Sequence, residues 1–105
     1  MDLNEFKASV NAEAPPDDIG DALRALWHQA RGEWDRAHEL VQDQDDDSGA
    51  WVHAHLHRVH GEDGNAGYWY RRAGKPHARV PLNEEWDEIV AALLSKRMGR
   101  GDGTR

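Results

Sequence analysis

The chain contains no cysteine among its 105 residues, and this absence removes several kinds of chemistry at once. Disulfide bridges, thiolate metal sites and cysteine nucleophiles are excluded. No run of apolar residues approaches the roughly eighteen that a membrane-spanning helix needs. The first residues also lack the basic and then apolar pattern of a secretion signal. We therefore expect a cytoplasmic protein with no membrane partner.

Apolar residues are scarce, at 38% of the chain, while charged residues make up 31%. This balance favours a thin helical fold over a thick α/β sandwich. The 20 acidic residues outnumber the 13 lysines and arginines, and the formal charge is −7. Because a field of that sign repels phosphate backbones, we expect no nucleic-acid partner.

Apolar residues recur at helical spacings along most of the chain, and no alternating strand pattern is present, so we predict an all-α fold. Asp17 or Asp18 is the expected N-cap of the second helix, and Asn83 that of the last helix. An acidic run over residues 43–49 is predicted to be a solvated loop. The predicted organisation is an N-terminal arm with a short helix (1–16), one all-α repeat-like domain (17–96) and a flexible tail (97–105).

An internal repeat appears when the sequence is shifted by 29 positions, which aligns ALWHQARGEWDRAHELVQD with AHLHRVHGEDGNAGYWYRR. Gly32 then meets Gly61, and Ala37 meets Ala66. Each unit reads as a helix, a Gly-Glu corner and a second helix. Two such units predict a short α-α superhelix of about two antiparallel hairpins, closed by a C-terminal capping helix.

The second halves of these units resemble tetratricopeptide-type (TPR or Sel1-like) repeats over residues 22–76. The matching positions are Gly32, Trp34, Asp35 and Ala37 in the first unit, and Gly61, Ala66, Tyr70, Ala73 and Pro76 in the second. The period of 29, instead of about 34, and the presence of only two units depart from that pattern. The resemblance implies a scaffold that binds a peptide or protein along the first helix of each hairpin. The second unit is also similar to a pattern in a small bacterial family with no assigned activity.

A recognition surface is predicted on the helix over residues 50–60, opposite its apolar stripe. Trp51, His55 and Arg58 share that face, and the first unit adds Leu26 and Gln29. Aromatic and arginine side chains dominate binding hot spots, so we expect a protein or peptide partner. Two hairpins also leave open apolar ends, and a second copy of the chain could cover the end that the last helix does not cap. The alternative is that Trp51 is covered by the N-terminal arm or the C-terminal helix. No catalytic motif is present, so no enzymatic activity is expected.

Four histidines lie within eight positions of this helix, three on one side and one on the other. His53, His57 and His60 fall within roughly 60° of one another, because successive residues turn by about 100°, while His55 points the other way. Together with His28, which aligns with His57, they could hold a divalent metal such as zinc through imidazole nitrogens. The alternative is neutral histidines packed beside the core. Apart from such a metal, no cofactor is expected.

A third candidate site is the segment YWYRRAGKP, where basic side chains follow aromatic ones. Arg71, Arg72 and Lys75 could bind a small anion such as a phosphorylated ligand, since guanidinium groups suit phosphate and carboxylate. At helical spacing, however, Trp69 and Tyr70 belong to a stripe that is typical of core packing.

Overall fold

A computed structural model describes the backbone of residues 1–102 and the side chains of residues 1–96. Residues 103–105, the end of the predicted tail, lie outside the described residues. Within the described range the chain forms six α-helices and no strand, which confirms the all-α prediction. The helices are α1 (Leu3–Ser9), α2 (Gly20–Ala30), α3 (Trp34–Val41), α4 (Asp47–Val59), α5 (Asp63–Ala73) and α6 (Leu82–Asp102). None of the described helices is both long enough and apolar enough to cross a bilayer.

Helices α2 and α3 form one hairpin, and α4 and α5 form a second with the same corner geometry. Gly32 and Gly61 occupy the two corners with φ of +82° and +74°, in the left-handed region that favours glycine. At each corner the N–H of the next glutamate donates to the carbonyl five residues earlier, at 3.0 and 2.9 Å. Ala37 and Ala66 are fully buried at the matching positions. The predicted doubled hairpin is confirmed.

The corner glycines lead to a prediction with an internal control. We expect Gly61→Ala to lower the free energy of unfolding by about 1–2 kcal/mol, because an L side chain is strained in the left-handed region. Gly64 lies in helix α5 with nothing within 4 Å of an added Cβ. Gly64→Ala should therefore raise stability by up to about 1 kcal/mol. Urea unfolding of both variants tests the prediction, and a shift of the same sign in both would contradict it.

Helix α6 packs across the hairpins and supplies much of the core. Its apolar stripe is buried against α1, α2 and α4, as predicted for a capping helix; the stripe consists of Trp86, Ile89, Val90, Leu93 and Leu94. The indole N–H of Trp86 donates to the carbonyl of Leu26 at 3.0 Å. Phe6, in the predicted N-terminal arm, is fully buried with its ring 5.8 Å from that of Trp86.

Two predicted helix caps are wrong. Helix α2 begins at Gly20 after Ile19, so neither Asp17 nor Asp18 caps it, and Asp18 instead has a φ of +60°. Aspartate tolerates this left-handed conformation better than most residues. Helix α6 begins at Leu82, which places Asn83 inside the helix.

The loop formed by the acidic run is shorter than predicted, because α4 begins within the run. Asp46 is the N-cap, and its carboxylate accepts a hydrogen bond from the backbone N–H of Gly49 at 2.8 Å. Negative charge at Asp46 and Asp47 is favourable there, since a helix N-terminus carries partial positive charge. The extra turn lengthens the helix that carries the histidines.

Candidate metal centre

Three histidines from the two hairpins meet where α3 packs against α4. His38 from α3 and His53 and His57 from α4 each offer a ring nitrogen, and these atoms all lie within 4.8 Å of one another. The closest pair is Nε2 of His38 and Nε2 of His53, at 3.0 Å. We refer to these three residues as the imidazole cluster.

The local sequence explains how each ring reaches the cluster. His53 and His57 are four residues apart on α4, so they project from one face and stack with ring centroids 4.9 Å apart. His38 follows Trp34 by four residues and precedes the buried Val41 by three. It therefore lies on the side of α3 that faces α4, and its ring meets that of His53 edge to face at 4.7 Å.

His57 is oriented by the corner of its own hairpin. Its Nδ1 is hydrogen-bonded to Oε1 of Glu62 at 2.7 Å. The hydrogen bond from His57 lowers the pKa of the Glu62 carboxyl. As an ionised carboxylate only accepts, the imidazole donates through Nδ1, and in its neutral form the lone pair lies on Nε2.

His53 is the buried member, with 3% of its surface exposed. It stacks on Trp69 with ring centroids 3.9 Å apart. Burial, together with the charges of His38 and His57, lowers the pKa of His53 to about 4. Burial also lowers the pKa of His38. Both imidazoles are therefore neutral at pH 7, which is the form that coordinates a metal.

Trp34 holds one side of the cluster in place. Its indole stacks on His38 at 4.9 Å and on His60 at 3.9 Å between ring centroids. The indole N–H donates to the carbonyl of Leu56 at 2.7 Å, which fixes the ring against α4. His60 therefore packs on Trp34 and does not join the cluster.

The sequence-predicted metal ligands are partly brought together. His53 and His57 belong to the cluster, and the predicted separation of His55 from them is confirmed. His28 lies at the other hairpin corner, where its Nδ1 is hydrogen-bonded to Glu33 at 2.7 Å. His38 was missed, although its placement on the Trp34 and Val41 side of α3 was a signal in the sequence.

A second polar group, which we call the Glu85 network, lies inside the fold. The carboxylate of Glu85 is 1% exposed and accepts hydrogen bonds from His55 Nδ1 at 2.8 Å and Arg58 Nη1 at 3.0 Å. The hydroxyl of Tyr70 donates to its other oxygen, and Arg58 also donates to the carbonyl of Val80. Burial by itself raises the pKa of Glu85, but the hydrogen bonds from His55 and Tyr70 outweigh it and hold the pKa below its usual range.

The predicted recognition surface is wrong as an exposed face. Leu26 and His55 are buried, and Trp51 and Arg58 are half-buried. Gln29 is half-buried as well, and its side-chain oxygen has no hydrogen-bond partner among the described residues. Helix α6 packs over α2 and α4 and supplies Glu85, the acceptor of both His55 and Arg58. The alternative was cover of Trp51 by the N-terminal arm or the C-terminal helix, and Trp51 is half-buried and packs against the core.

Two of the three candidate anion-binding residues lie over different aromatic rings. The guanidinium carbon of Arg72 lies 5.4 Å from the centroid of the Trp69 ring. The ammonium of Lys75 lies 4.3 Å from the centroid of the Trp51 ring. Arg71 is exposed on α5. Two of the three cations are thus engaged with separate aromatic rings, and the geometry does not favour a shared anion site.

No protein-family model matches the chain, and no curated protein or solved structure matches it either. The resemblance to tetratricopeptide repeats therefore remains a prediction. The doubled hairpin rests on the corner geometry of the chain itself.

Proposed function

We propose that the protein binds a divalent transition-metal ion through His38, His53 and His57. The observation that carries this proposal is the convergence of three ring nitrogens from two helices within 4.8 Å. In a tetrahedral zinc site with Zn–N bonds of 2.0–2.1 Å, neighbouring nitrogens lie about 3.3 Å apart. The pair at 3.0 Å is close to that spacing.

The surroundings of the three rings also favour coordination. Glu62 orients His57 as carboxylates commonly orient metal-binding histidines. Imidazole ligands suit zinc, copper, nickel and iron, whereas calcium and magnesium prefer oxygen. The ion proposed to bind is therefore a borderline transition metal.

The two ring nitrogens of His53 differ in their surroundings, because Nε2 lies within hydrogen-bond distance of His38 Nε2, at 3.0 Å. The Nδ1 of His53 is buried with no hydrogen-bond partner among the described residues. An unsatisfied buried polar atom costs about 1–3 kcal/mol, and an apolar side chain against Trp69 would avoid that cost. A histidine at this position is consistent with a use for Nε2, in the hydrogen bond to His38 or as a metal ligand.

Metal titration of the untagged protein tests the proposal. We expect Zn²⁺ to give saturable heat in calorimetry and to raise Tm by on the order of 10 °C at about 100 times Kd, from the linkage of binding to stability. His38→Ala and His57→Ala should lose both effects. His28→Ala is the matched control, because His28 has the same 2.7 Å contact with a corner glutamate but lies outside the cluster.

Two results would contradict metal binding at this site. One is the absence of heat and of any Tm shift with Zn²⁺, Cu²⁺, Ni²⁺ and Co²⁺. The other is an equal loss in His28→Ala and His57→Ala, which would place the metal elsewhere.

Partner binding remains a prediction alongside this proposal. The doubled hairpin supports a scaffold for a protein or peptide, and a second copy of the chain also remains a candidate partner. Leu26 and His55 are buried, so of the predicted set only Trp51, Arg58 and Gln29, which are half-buried, offer surface to a partner. The cytoplasmic location likewise remains a prediction.

A further inference from the structure

The imidazole cluster supplies three ligands, one fewer than a tetrahedral metal takes. Among the described residues, the group of histidine and acidic side chains close enough to share a metal consists of His38, His53 and His57 alone. Structural zinc sites have four protein ligands, whereas sites with three keep a position for an exchangeable ligand. Resting on the metal binding proposed above, we infer that the bound metal takes its fourth ligand from solution, as hydroxide or another small monodentate anion.

His60 is the residue that the sequence offers as a fourth ligand, and its packing keeps it away. Its ring stacks on Trp34 at 3.9 Å, and it would have to leave that contact to reach the metal. Trp34 is itself held by its hydrogen bond to the carbonyl of Leu56. The stacking contact, on an indole that is itself fixed, therefore opposes recruitment of His60.

Glu62 is the carboxylate in contact with the cluster, but it is already hydrogen-bonded and does not serve as the fourth ligand. Its Oε1 accepts the Nδ1–H of His57 at 2.7 Å. Ligation by Glu62 would remove the contact that orients His57. The carboxylate therefore acts as a positioning group for a ligand and not as a ligand.

Two members of the cluster are not fully buried, so a small ligand would approach from their side. His53 is buried, but His38 and His57 are half-buried. Three neutral imidazoles leave the double positive charge of the metal uncompensated, so a small anion is the ligand class that this position favours. Large ligands are disfavoured because Trp34 and Trp69 pack on the rings.

Cobalt-substituted protein with azide as the probe tests this inference. Binding of Co²⁺ is first followed by its visible d–d bands, which tests metal binding alone. Azide is then added, and we expect a saturable shift of those bands while filtration shows that the cobalt stays bound. His60→Ala should retain the cobalt spectrum, the cobalt affinity and the azide response of the wild type.

The outcomes separate the two proposals. Cobalt that binds but shows no spectral response to any azide concentration would mean that the protein fills all positions, and the inference would be overturned while metal binding stood. A changed spectrum or weakened cobalt affinity in His60→Ala would identify His60 as the fourth ligand, with the same consequence. Failure of cobalt, zinc, copper and nickel to bind would overturn both proposals.

Discussion

Replacing Glu85 with alanine is expected to lower the free energy of unfolding by about 3–5 kcal/mol, the loss typical of breaking a buried ion pair. Glu85 is 1% exposed and accepts hydrogen bonds from His55, Arg58 and Tyr70. The variant would leave the positive charge of Arg58 and two further donors facing a space without an acceptor. Urea unfolding at pH 7 measures the loss.

Neighbouring substitutions show whether the loss belongs to the network. Glu84 is exposed, so Glu84→Ala should change stability by no more than about 0.5 kcal/mol. Tyr70→Phe removes one donor and keeps the charge pair, so about 1–2 kcal/mol is expected. If Glu85→Ala were as stable as Glu84→Ala, the carboxylate would not be holding α6 against α4 and α5.

Acidification is expected to destabilise the metal-free protein before its carboxylates titrate. The pKa of His53 falls from 6.5 to about 4 on folding, so between these values the unfolded chain binds more protons than the native one. Stability is therefore complete above pH 6.5 and decreases as the pH falls, by about 3 kcal/mol at pH 4 for this residue. The lowered pKa of His38 acts in the same direction.

Unfolding free energies measured in chelator from pH 7.5 to pH 4 test this dependence. The titratable groups facing His53 are His38 and His57. The pKa values of Glu33, Glu62 and Glu85 are lowered, so protonation of these carboxylates affects stability only below about pH 4.5. His53→Leu should flatten the profile between pH 6.5 and 4.5. A wild-type profile as flat as that of His53→Leu would show that His53 is protonated in the native state without penalty.

Much of the fold was predictable because it depends on short-range sequence. Apolar spacing indicated the helices, and Gly32 and Gly61 marked corners because a left-handed backbone angle favours glycine. The opposite directions of His53 and His55 also followed from helical geometry alone. The helix caps were less predictable, since Asp17, Asp18 and Asn83 have the right chemistry for caps that the chain does not use.

The candidate site was predictable only in part because it combines two hairpins. His53 and His57 are neighbours on one helix, so their spacing brought them together in the sequence. His38 reaches them only because α3 packs against α4, and the periodicity of either helix alone does not predict that contact. His60 shares their side of α4, but the stacking on Trp34 directs it away.

The sequence alone determined the all-α class, the repeated hairpin and the apolar stripe of the last helix, because each depends on residues within a few turns of one another. Only the tertiary structure decided where α6 lies. By packing over α2 and α4, α6 covers part of the face predicted for a partner and brings Glu85 to His55 and Arg58 across about thirty residues of chain. Long-range packing therefore put a buried charge network beneath part of the predicted recognition surface and placed the three clustered imidazoles between the hairpins.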